Sequence, residues 1–144
     1  MSSIKLGYVV ATPELRLDES VTAYQGDMET VFRRLRDLDY DGAELMIRDP
    51  DRLDRGVFER LSRGYGIEIP ALCTGEVFGQ DHLSFMDPDE AVRDEAIRRM
   101  KKIIDFASAF GAQVNIGRLR GQLRPDIPRD RSLSWMYSAF EVVT

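Results

Sequence analysis

Hydrophobic positions along this chain follow two alternating rhythms. Short continuous apolar runs alternate with longer stretches in which apolar residues recur every three or four positions. The first rhythm predicts strands buried on both faces, and the second predicts amphipathic helices. The strand-like runs are Ile4–Val10, Ala43–Ile47, Ile67–Cys73 and Val114–Gly117. Met28, Val31, Phe32, Leu35 and Leu38 mark one helix face, and Leu53, Val57, Phe58, Leu61 and Tyr65 mark a second. Val92, Ala96, Met100, Ile103, Ile104, Ala107 and Phe110 mark a third, and Leu133, Met136, Phe140 and Val143 a fourth.

Breakers and caps punctuate the pattern. Asp27 suits the N-cap of the first helix, and Asp41-Gly42 breaks it. Asp87, Pro88 and Glu90 read as the N-cap, first position and capping-box position of the third helix, which Gly111 ends. Ser132 suits the cap of the fourth. Ala11 to Gly26, Thr74 to Gln80 and Leu119 to Arg131 read as loops. The order is therefore β-α-β-α-β-α-β-α, a weak internal repeat of helix, glycine and short strand. Strands joined by a helix lie parallel, so residues 1–144 are expected to form one α/β domain of (βα)4 type.

Composition narrows the class without naming a function. The 43% apolar and 31% charged content is that of a globular protein, and the net charge of −5 argues against a nucleic-acid partner. Cys73 is the one cysteine, so no internal disulfide forms. No run reaches the roughly 18 apolar residues of a membrane span. Met1 to Lys5 lacks a signal-peptide layout, which makes a cytoplasmic location the expectation.

In parallel α/β folds, sites form at the carboxyl ends of the strands. That rule selects Tyr8 and Thr12 to Glu14, then Glu44, Arg48 and Asp49, then Thr74, Gly75, Glu76, Gln80 and His82, then Asn115, Gly117, Arg118 and Arg120. Glu44 interrupts an apolar strand. A carboxylate there needs a partner, so a pairing with a nearby Arg or Lys competes with a ligand contact. His82, the single histidine, reads first as a loop residue, and Cys73 as a small buried apolar group. Asp49, Asp51 and Asp54 fail the calcium-loop pattern, and Gly64-Tyr65-Gly66 fails the dinucleotide one. The segment 118–131 carries Arg118, Arg120, Arg124, Arg129 and Arg131 against Asp126 and Asp130. Guanidinium groups at a strand end suit a phosphate or carboxylate, and Arg118 and Arg120 are placed to supply them.

The segments LGYVV, DGAELMIRDP, ALCTGEVFGQDHLSFMDPDEAVRDEAIRRMKKIIDFASAFGA and QVNIGRLRG resemble the sugar phosphate isomerase/epimerase family with the xylose isomerase-like TIM barrel. The likeness runs over about residues 4–123. It implies the N-terminal half of an eight-stranded barrel, since a whole one takes roughly 200 residues or more. It implies metal-assisted proton transfer next to a carbonyl on a sugar or sugar phosphate, with Mn²⁺, Mg²⁺ or Co²⁺ as the ion. Thr74, Gly75, Asn115, Arg118 and Arg120 would line the substrate cavity. The family's metal ligands and glutamate pair come mainly from later strands, so none carries over to this chain. Glu44 is left as the candidate base, with Glu76 beside it. The family's endonuclease branch uses histidines where this chain has Thr74 and the run Asn115–Arg118, so DNA repair is not expected.

Half a barrel has two open edges and an open inner face, expected here to carry Tyr8, Met46 and Leu72 or Ile116. Such edges and faces favour association. The expectation is a homo-oligomer or a fragment of a longer chain rather than a lone monomer. The alternative to an epimerase is a non-catalytic half-barrel that binds a small ligand or a partner.

Overall fold

The computed structural model describes residues 4–18 and 20–144. Met1–Ser3, read above for targeting, lie outside the described residues. Four strands, β1 (Gly7–Ala11), β2 (Gly42–Met46), β3 (Ala71–Cys73) and β4 (Gln113–Asn115), form one sheet in the order β1-β2-β3-β4. Every pairing is parallel. Helices α1 (Met28–Asp37), α2 (Arg55–Tyr65), α3 (Gly75–Asp81), α4 (Glu90–Ser108) and α5 (Arg129–Val143) lie between or after the strands. This is the alternating parallel order that the periodicity predicts, with α3 added after β3, and the (βα)4 half-barrel that the resemblance implies.

The helices cover one side of the sheet. Val10, Ala43, Leu45, Ile47 and Leu72 are fully buried there, against Phe32 and Leu35 of α1, Phe58 of α2, and Met100, Ile103 and Phe106 of α4. Phe58 and Phe106 meet edge to face with centroids 5.9 Å apart, a favoured aromatic geometry. Among the described residues, no helix is long and apolar enough to cross a membrane.

Several local expectations are corrected. β1 begins at Gly7 rather than Ile4, because Ile4 and Leu6 have nothing packed over them and stay exposed. The left-handed residue that ends α1 is Asp39 (φ 59°), with the Tyr40 amide donating to the Leu35 carbonyl. Gly42 instead opens β2, where a Cβ would lie 3.3 Å from the Glu68 carbonyl oxygen and the Pro70 ring. The cap of α4 is Asp89, whose carboxylate accepts from the Ala91 amide, because Asp87 spends its own carboxylate on the Asp89 amide. α5 starts at Arg129, and Ser132 is buried in its first turn rather than capping it. Thr74 to Gln80 is not a loop. It winds into α3 because Val77 has a fully buried place in the core.

The edges also differ from expectation. The amide of Ala11 donates to the Tyr24 carbonyl at 3.0 Å, and the Tyr24 amide donates to the Val9 carbonyl at 2.8 Å. Tyr24 thus closes the outer edge of β1 along Val9–Ala11. The β4 edge offers a three-residue strand.

Candidate functional site

Strand register decides which side chains face away from the helices. Paired residues of neighbouring parallel strands point the same way, and the direction alternates along each strand. Tyr8 pairs with Ala43, Val10 with Leu45, and Leu45 with Leu72, so all of these face the helices. Tyr8 and Leu72 are therefore not inner-face residues, contrary to the sequence expectation, and Ile116 packs against the helix-side core. The concave face carries Val9, Glu44, Met46, Ala71, Cys73, Gln113 and Asn115.

Glu44 is half-buried on that face. Among the described residues it makes no ion pair or side-chain hydrogen bond, so the expected Arg or Lys partner is not there. Burial pushes the Cys73 thiol up to about 11, and the nearby Glu44 charge adds to the shift. At neutral pH the thiol keeps its proton, which makes it a poor nucleophile. Asn115 ends β4 with its side chain exposed on the same face.

Above this face, at the carboxyl ends of the strands, a chain of polar contacts links the segments that follow all four. Glu14, after β1, is buried, and its Oε1 accepts from the backbone amides of Arg48 (2.9 Å) and Asp49 (3.2 Å). Arg48, after β2, donates to Gln80 Oε1 at 3.0 Å and lies 3.7 Å from Asp81. Gln80 Nε2 in turn donates to Glu76 Oε2 at 2.9 Å. Arg118, in the 3₁₀ turn Gly117–Arg120 after β4, donates to Glu76 Oε1 at 3.0 Å. Arg99 of α4 anchors the cluster from below. It is 8% exposed, and donates to the Arg48 carbonyl at 3.0 Å and to Asp81 Oδ2 at 2.8 Å. Low exposure makes these charge-assisted bonds stronger than surface pairs, and costly to leave half-made.

The residues singled out from sequence divide accordingly. Thr74 is fully buried, and its hydroxyl lies within bonding distance of the Asn115 (3.0 Å) and Ile116 (2.7 Å) carbonyls. It straps β3 to β4 rather than facing a ligand. Gly75 opens α3 beside the Arg118 guanidinium. Glu44 and Asn115 share the concave face, and Arg118 joins the polar chain at its rim. Arg120 is exposed with no ion pair among the described residues. His82 is exposed and ends α3 in the left-handed conformation (φ 55°). Sequence reasoning missed Arg99 and Asp81. The signal for Arg99 was its spacing, three after Ala96 and four before Ile103, which sets it on the buried face of α4.

No three His, Cys, Asp or Glu side chains converge to hold a metal ion among the described residues. Glu76 and Asp81 spend their oxygens on amide and guanidinium groups, and Glu14 gives Oε1 to two backbone amides while its buried Oε2 has no partner among the described residues. These residues do not fit the divalent ion that the resemblance implies.

A parallel (βα)4 sheet with its polar groups gathered at the carboxyl strand ends defines half of a TIM barrel. Residues 32–143, most of the chain, match the family described as the xylose isomerase-like TIM barrel, and the chain belongs to that family. No curated protein matches it in sequence. Among solved structures it is similar to D-allulose 3-epimerase from Methylomonas sp., solved in complex with D-allulose, with a TM-score of 0.67 and 14% identity over 96% of this chain. It is also similar to the 3-keto-D-glucoside 4-epimerase YcjR from E. coli, with a TM-score of 0.63 and 12% identity over 96% of this chain. The chain spans 46% of the first and 51% of the second, about half of each.

Proposed function

We propose that this chain is the sugar-holding half of an isomerase/epimerase barrel, with its ligand on the concave face. The observation that carries this reading is Glu44, a half-buried carboxylate without a partner among the described residues, where strand register aims it away from the core. A carboxylate with free lone pairs accepts hydrogen bonds from sugar hydroxyls. It can also take the proton from a carbon next to a carbonyl, leaving an enediolate that is reprotonated to give the isomer or epimer. Asn115, on the same face, has both a donor and an acceptor for hydroxyls. Family membership supports the reading, as do two epimerases among the structures the chain is similar to.

A second reading, a binding half-barrel without chemistry, has its own support. Glu44 is the one carboxylate on the concave face among the described residues, and Cys73 beside it holds its proton tightly. Proton transfer to both faces of a carbon needs a second acid–base group. Deuterium uptake separates the two readings. Incubated with a ketohexose in D₂O, the catalysing chain exchanges the hydrogen next to the carbonyl, and Glu44→Gln slows this by about 10²-fold or more. Saturable sugar binding without exchange establishes the second reading. No binding at all sinks both.

A further inference from the structure

The polar chain at the strand ends separates two kinds of sugar ligand, an inference that rests on the sugar-site reading above. We infer that the concave face takes an uncharged sugar and discriminates against its phosphate ester, and that Glu76 sets this preference.

In the sequence, Arg118 and Arg120 are the natural partners for a phosphate. In the structure, Arg118 is already committed. Its terminal nitrogen donates to Glu76 Oε1 at 3.0 Å, and its guanidinium lies 5.8 Å from the centre of the Phe78 ring. The two partners are unequal: the Glu76 side chain is 14% exposed and that of Arg118 is 52% exposed. The other Glu76 oxygen is held by Gln80, whose amide oxygen is taken by Arg48. Drawing Arg118 onto a phosphate therefore strands a mostly buried carboxylate, an unfavourable exchange. The backbone is shaped for the pair as well. A Cβ at Gly79 would lie 2.9 Å from a terminal nitrogen of Arg118 and 3.0 Å from Glu76 Oε2, so a glycine there leaves the space the pair fills.

The other charges point the same way. Arg48 and Arg99 are engaged with Asp81 and with backbone or amide oxygens. Glu44, with no ion pair among the described residues, puts a negative charge on the concave face. A dianionic phosphate meets that charge, and among the described strand-end arginines it finds without an ion pair only Arg120 and the exposed Arg16, whose backbone bonds to Gln80. Sugar hydroxyls, by contrast, find acceptors in Glu44 and Asn115. A site with neutralised cations and free acceptors selects by repulsion as much as by contact.

The test is calorimetric titration of the chain with a free ketohexose and with its terminal phosphate ester. The wild type binds the free sugar more tightly. Glu76→Gln keeps the side-chain size and an acceptor for Gln80, but releases Arg118. It raises affinity for the phosphate ester about fivefold to tenfold, the scale of one half-exposed charge contact, and the gain shrinks in high salt. Affinity for the free sugar stays within about twofold. Adding Arg118→Gln to that variant removes the gain. Arg118→Gln in the otherwise unchanged chain leaves the phosphate ester where it was, so the inference stands or falls even where Glu76→Gln does not fold. Tighter binding of the phosphate ester by the wild type overturns the inference and leaves the sugar site standing. So does an Arg118→Gln loss of phosphate affinity. Failure of the wild type to bind either ligand removes the sugar-site reading and this inference with it.

Discussion

On the helix side of the sheet, Val10, Ala43, Leu45, Ile47 and Leu72 are fully covered, whereas on the concave side Val9, Glu44, Met46 and Cys73 each keep some surface open. Neighbours one residue apart thus live under different constraints. The covered side carries the burial that stabilises the fold. The open side carries polar and ionisable groups that the fold does not need. A residue's cost of substitution and its value to a ligand should therefore separate by strand parity.

The sharpest way to break that contrast is Leu45→Ala against Met46→Ala. The first should lose about 2–5 kcal/mol of stability, since a fully buried leucine leaves a cavity, and the second about 1 kcal/mol or less. Equal losses in urea unfolding would mean that the concave face is packed in solution. Next comes Arg99→Met, which leaves Asp81 without its closest cation. A loss of about 2–3 kcal/mol is expected, below the full range for a broken buried pair because Asp81 keeps some water. Thr74→Val should cost about 1–2 kcal/mol by leaving the Asn115 and Ile116 carbonyls without the hydroxyl. The smallest effect on stability belongs to Glu44→Gln, within about 0.5 kcal/mol. That variant still has a chemical signature. Burial, then the Glu44 charge, holds the Cys73 thiol up at about 11, so alkylation is slow at neutral pH and accelerates as the pH climbs toward 11. Removing the Glu44 charge lowers the thiol's pKa, and the whole alkylation profile should move to lower pH. An unmoved profile would separate Glu44 from Cys73 and weaken the site.

The strand–helix alternation was legible because each helix carries a dense apolar stripe. Met28, Val31, Phe32 and Leu35 show it for α1, and all four are buried. The facing of β1 was not legible. In the run Gly7–Val10 three successive residues are apolar or aromatic, so alternation leaves the inner side open until pairing with β2 sets Tyr8 beside Ala43. α3 was hidden by its two glycines, and only the tertiary place of Val77 reveals it. The strand-end rule selected Glu14, Arg48, Glu76, Gln80 and Arg118 as neighbours of a site. It could not show that they bond to one another, because most of those contacts span long sequence separations and the local one, Gln80 to Glu76, lies in a helix read as a loop. The Arg118–Glu76 pair joins residues 42 apart, so local sequence makes Arg118 look like a free cation.

The Tyr24 bridge has a bearing on self-assembly. Strand-by-strand growth into a fibre needs each molecule to offer two complementary ladders, one to receive and one to present. Along Val9–Ala11 the Val9 carbonyl and the Ala11 amide of the receiving ladder are already taken by the molecule's own Tyr24. A copy that docks its β4 margin there has to displace that bridge before it can form a continuous ladder. A single residue in the first loop thus stands against growth of this kind.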